Sequence, residues 1–195
     1  MKYIYFIAPL IIFIMISGCA SKKSEKPVTK KVTKSIQHLD LSKINYPQKI
    51  GTYDLYNKTN VKDGTAGIMI RYVDYNNSKA FLDCYIYPQG NETNITEHYQ
   101  DFISGLEFML KQKELKKLKI MKEDSVALNT NTQAKRTFFE MENKSVSYYS
   151  TLYLAPLQDH YFKVRLSNPL KQEFLNSDHG EKTVKELFNA IKFNQ

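Results

Sequence analysis

The two thiols of this chain stand in different company. Cys19 closes the run Ile16-Ser17-Gly18-Cys19, small residues leading into a cysteine. Cys84 lies among strand-forming residues, with Leu82 and Ile86 two positions away on either side, the setting of a buried, inert thiol rather than a reactive one. With Cys19 modified, no intramolecular disulfide can form. The four histidines, His38, His98, His160 and His179, are far apart, and no pair has ligand spacing. Without a second thiol beside them no zinc constellation is expected, and neither metal nor cofactor is predicted. Asp83, Glu140 and Glu142 fall on expected strands. Their spacing is compatible with general acid–base work, but an outward, solvated role is the expected one. No Gly-x-Ser-x-Gly elbow, phosphate loop or dinucleotide fingerprint occurs, and Ser104-Gly105 falls inside an expected helix as a packing or kink position. The chain is not expected to be an enzyme.

Cys19 takes its meaning from what precedes it. Lys2 is followed by an apolar run from Tyr3 to Ile16, short of the roughly 20 residues that cross a bilayer as a helix. A charged start, a short apolar core and small residues before a processing point make a signal peptide rather than a permanent span. The stretch resembles a bacterial lipoprotein signal, with Ile16 to Cys19 as its lipobox. The resemblance implies that residues 1–18 are removed, that Cys19 carries a diacylglycerol thioether, and that its new amino group takes a further acyl chain such as palmitate. Ala20 and Ser21 follow the cysteine, which in such proteins implies the outer membrane, with the domain facing the periplasm. In that setting the match Asn91-Glu92-Thr93 has no meaning as a glycan acceptor.

The formal charge of +8 invites a nucleic-acid reading, and its distribution removes it. Residues 19–49 carry eight lysines against Glu25 and Asp40, an excess of six, whereas residues 50–195 have 19 basic against 18 acidic side chains. The excess therefore sits beside the expected lipid, where anionic headgroups attract it. Residues 19–45, rich in Lys, Ser and Thr, have too little apolar surface to offset ordering and are expected to be a flexible, lipidated tether. Residues 46–195 are expected to form a single domain and a monomer.

Within that domain the pattern alternates and then changes period. Strands are expected over Thr52–Asn57, Gly67–Asp74 and Ala80–Tyr87, separated by turns at Lys62-Asp63-Gly64 and Asn76-Asn77-Ser78. A helix is expected from Thr93 to Lys117, capped by Thr93 or Thr96, with Tyr99, Phe102, Leu106, Met109 and Leu110 as its stripe and Lys111, Lys113, Lys116 and Lys117 at its end. Strands follow at Leu118–Asp124, Ala134–Glu142, Ser147–Leu154 and His160–Leu166, with Glu142-Asn143-Lys144 as a hairpin turn. The last strand alternates Phe162, Val164 and Leu166 inward against Tyr161, Lys163 and Arg165 outward. A closing helix over residues 180–192 places Val184, Leu187, Phe188 and Ile191 on one face. The order βββ–α–ββββ–α predicts an α+β fold with a mainly antiparallel sheet.

Ala80–Tyr87 and Ser147–Leu154 carry large side chains on both faces, as a sheet covered on both sides would. That order is similar to the α/β/α sandwich of PsbP-like proteins, which include envelope lipoproteins. Two functional readings follow. One is a non-catalytic envelope module presenting a surface to a protein or cell-wall partner. The other is a module for a hydrophobic or aromatic small ligand, using the aromatic side chains supplied by 14 Tyr and 11 Phe. The candidate face is Tyr85, Tyr87, Tyr149, Tyr153 and Tyr161, which form either a second core layer or the lining of a concavity.

Overall fold

The computed structural model describes residues 43–61, 67–77, 80–89, 94–143, 146–169 and 178–193. All belong to one compact unit, residues 35–195. Cys19, the tether up to Ser42 and the Lys62-Asp63-Gly64 turn lie outside the described residues.

Ten strands and two helices follow in the order β1 (Ile44–Asn45), β2 (Lys49–Ile50), β3 (Tyr53–Val61), β4 (Gly67–Val73), β5 (Phe81–Pro88), α1 (Ile95–Lys111), β6 (Lys117–Ala127), β7 (Gln133–Asn143), β8 (Val146–Leu157), β9 (His160–Pro169), α2 (Asp178–Ala190) and β10 (Lys192–Phe193). The expected βββ–α–ββββ–α order is there, with three two-residue strands added. The fold is α+β. Its main sheet is antiparallel throughout and runs β2-β3-β4-β5-β9-β8-β7-β6. Two meanders, β2 to β5 and β6 to β9, thus join where β5 pairs with β9. Strand pairing begins at Ile44, two residues before the expected start of the domain: β1 pairs with β10 through Ile44↔Phe193, and Ile44 is buried in the core.

Because side chains alternate, each strand contributes to both faces. On one face Ile68, Ile70, Tyr72, Leu82, Cys84, Ile86, Phe162 and Val164 are fully buried and join Val184, Leu187 and Phe188 of α2, and Ile191 just after it, in a single core. Phe162 meets Phe188 edge-on at 5.0 Å. Burial pushes the Cys84 thiol well above its usual range, which keeps it protonated and inert. The other face receives α1, which packs on β6 and β8. This helix carries the chain from β5, in the middle of the sheet, to β6 at its edge.

Several details differ from expectation for local reasons. Asn94 caps α1, its side-chain oxygen accepting from the Thr96 amide at 3.0 Å and so satisfying one of the unpaired donors of the first turn. The helix stops at Lys111: Lys113 takes a left-handed conformation (φ 61°), and the chain turns so that Leu115 can bury. Lys116 and Lys117 therefore do not belong to the helix end, and Lys117 opens β6 in an ion pair with Glu140 at 2.6 Å. The buried stripe of α1 is Tyr99, Ile103, Leu106 and Met109, with Phe102 and Leu110 only half-covered. The expectation that Tyr161, Lys163 and Arg165 point to solvent is also corrected. They lie on the α1 face, Tyr161 buried and the two cations half-buried.

Candidate functional site

Residues directly opposite on neighbouring strands form rungs, and one rung on the α1 face is charged. Arg71 of β4 pairs with Asp83 of β5, and Asp83 pairs with Arg165 of β9. Asp83 has no exposed surface. Both its oxygens are taken up by Arg71, with Nε donating to Oδ1 at 2.5 Å and Nη2 to Oδ2 at 2.8 Å, and Arg165 Nη2 donates to Oδ2 at 3.2 Å. A carboxylate this far from water is tolerated only where such partners offset its desolvation. The expected solvated role of Asp83 is thus overturned: it is the buried hub of an ion-paired rung. The two arginine side chains are not wholly enclosed: Arg71 stays 22% and Arg165 16% exposed. Two positive charges share one negative charge, so the cluster Arg71–Asp83–Arg165 carries a net charge of +1.

Aromatic rings flank it. Phe81, one rung further along β5, lies under both cations, with the Arg71 and Arg165 guanidinium carbons 5.0 and 5.4 Å from its centroid. Tyr148 meets the same ring edge-on at 5.7 Å. Burial pushes the Tyr85 and Tyr148 phenols up, while both guanidiniums pull them partly back, so each phenol remains a neutral donor within the field of the pair. The neighbouring rung ends in a buried hydroxyl pair, Ser150 Oγ and Ser167 Oγ at 2.9 Å.

A second cluster lies where α1 begins. His98 stacks on Tyr161 with centroids 4.4 Å apart, and its Nε2 is 2.6 Å from the Tyr87 hydroxyl. Lys163 Nζ lies over the rings of Tyr85, Tyr87 and Phe102. On the opposite face Arg136 of β7 forks onto Asp124 of β6 at 2.7 and 2.8 Å and reaches Glu181 of α2 at 2.7 Å. Its guanidinium holds the Asp124 carboxyl down at about 2.

The five candidate tyrosines do not share one face. Tyr85, Tyr87 and Tyr161 lie on the α1 face, and Tyr161 is buried. Tyr149 and Tyr153 lie on the α2 face, where Tyr153 is buried beside Arg136 and its phenol is pushed up to about 12. A groove beside α2 is lined by Ile50, Glu181, Lys182, Lys185, Glu186 and neighbours, and none of the five borders it. Glu140 and Glu142 are half-buried, paired with Lys117 and Lys116. Sequence reasoning missed Arg71, Arg165, Phe81 and Tyr148. One signal was available: an Asp in a strand with large side chains on both faces must find cationic partners on the adjacent strands.

No protein-family model matches the chain, and no curated protein matches it. Solved structures similar in backbone include the following three. Cyanobacterial PsbP (CyanoP) from Synechocystis sp. PCC 6803 is 9% identical over 82% of this chain and 97% of that one, with a TM-score of 0.49. A protein of unknown function from Pseudomonas aeruginosa, described as a putative regulator, is 10% identical over 70% and 96%, with a TM-score of 0.42. The Ran-binding protein Mog1p of Saccharomyces cerevisiae is 11% identical over 72% and 96%, with a TM-score of 0.40.

Proposed function

We propose that this chain is a non-catalytic, lipid-anchored protein of the cell envelope. Its domain is held at the outer membrane, faces the periplasm, and acts as an interaction module for an envelope protein or cell-wall partner. The observation that carries the reading is the run Ile16-Ser17-Gly18-Cys19 behind a charged start and a short apolar core, followed by a lysine-rich stretch. Lipid on the cysteine and lysines against headgroups act together, because a single acyl chain gives only reversible binding and a second signal makes anchoring stable. The test is fractionation of cells making the wild-type chain or Cys19→Ala. The wild type is expected in the membrane fraction. The variant is expected as an unprocessed or soluble species, because the other thiol, Cys84, is buried in the domain and cannot take the place of Cys19. A variant still lipidated and membrane-bound would overturn the reading.

A second reading, a module for a hydrophobic or aromatic small ligand, is favoured by one feature. On the α1 face Phe81, Tyr85 and Tyr148 surround a partly exposed guanidinium pair, so apolar surface and directional donors meet in one place.

A further inference from the structure

We propose that Arg71 and Arg165, with Phe81 and the phenols of Tyr85 and Tyr148, form a receiving site for a small monocarboxylic acid whose carboxylate is carried on a flat apolar body. The proposal rests on the small-ligand reading and gives it a chemical class.

Charge selects the ligand. The rung holds two guanidiniums against one carboxylate, and burial makes the residual unit of positive charge costly to leave unmatched. A single carboxylate restores neutrality. A phosphate, with a charge of about −1.5 to −2 at neutral pH, would overshoot and set excess negative charge beside the buried Asp83. Geometry agrees with charge. Among the described residues, Asp83 engages Nε and Nη2 of Arg71 but only Nη2 of Arg165, so donors of the planar Arg165 fork are left there for a second oxyanion. The Phe81 ring spans both cations and Tyr148 stands against its edge, which supplies a wall for an aromatic or unsaturated body. The 22% and 16% exposure of the two arginine side chains admits a thin molecule, whereas a folded protein surface would stop at the surrounding rings. This favours a small acid over a docked domain.

The test is calorimetric titration of the full-length chain in non-ionic detergent with benzoate, inorganic phosphate and neutral benzamide. Benzoate is expected to saturate one site with a dissociation constant on the order of 1 mM or tighter. Phosphate should show no saturable binding. Arg165→Gln, which leaves Asp83 bidentate to Arg71, is expected to weaken benzoate at least about tenfold. Tyr148→Phe, which removes only a hydroxyl, guards against a folding defect in the arginine variant and should weaken benzoate by a smaller factor. Equal benzoate binding by the wild type and a folded Arg165→Gln overturns the site, and phosphate binding as tight as benzoate overturns the charge assignment. Benzamide binding as tightly as benzoate would overturn the carboxylate while leaving the small-ligand reading standing. Absence of binding by all three compounds overturns both.

Discussion

Asp83 shows how one side chain can be legible by type and misread by environment. In the sequence it is an acidic residue in an otherwise apolar and aromatic strand, and a strand carboxylate is most often solvated. The structure makes that impossible, because β5 lies between β4 and β9 with both faces in use. What the sequence could not supply was register. Only the pairing Arg71↔Asp83↔Arg165 shows that two guanidiniums from distant segments meet this carboxylate. Asp83→Asn keeps the shape and removes the charge, leaving two half-buried cations without a counter-ion. The expected cost is about 3 kcal/mol, because removing one partner exposes the desolvation penalty of the others. Chemical denaturation of the variant checks it, and a loss under about 1 kcal/mol would mean that water already neutralises the pair.

Elements were read with more success than faces. Both helices and the seven long strands follow from period and turn residues, since 3.6-residue and two-residue alternation depend on local spacing alone. Their coverage does not. Lys163 and Arg165 alternate with Phe162, Val164 and Leu166 as an exposed row would, yet α1 crosses their side of the sheet and Lys163 lies over three rings. The α1 stripe shifted for a similar reason: Ile103, buried, faces the sheet where Phe102 was expected, and Tyr99 is fixed by hydrogen bonds to Glu123 and to Thr137. The attachment of α2 is likewise tertiary, through Arg136 between Asp124 and Glu181. Arg136, with Lys122, holds the Asp124 carboxyl down from 3.8 to about 2, and Lys185, then Arg136, lower that of Glu181. Depressed carboxyls stabilise the fold above their ordinary range, and that contribution is lost as pH falls through the folded value. Arg136→Gln is therefore expected to be less stable at neutral pH by about 1–2 kcal/mol, after allowance for the partial exposure of Asp124. The gap to wild type should close between about pH 4 and pH 2. Melting curves across that range decide it, and a gap independent of pH would assign the loss to packing of Arg136 against Phe138 and Tyr153.

At the scale of the whole molecule a nearly neutral α+β domain follows a lysine-rich stretch and the proposed lipid anchor, and the two rest on different grounds. The domain is built from pairings and buried faces. The leader is read from residue order alone, because a charged start, a short apolar run and a cysteine after small residues form a local pattern independent of the fold. Its most direct test is the intact mass of the protein extracted from its own membranes. The account predicts a chain that has lost residues 1–18, begins at Cys19, and carries a diacylglyceryl group on sulfur with an acyl chain on the new amino terminus. A chain that retains Met1, or that begins at Cys19 without added lipid, would contradict it.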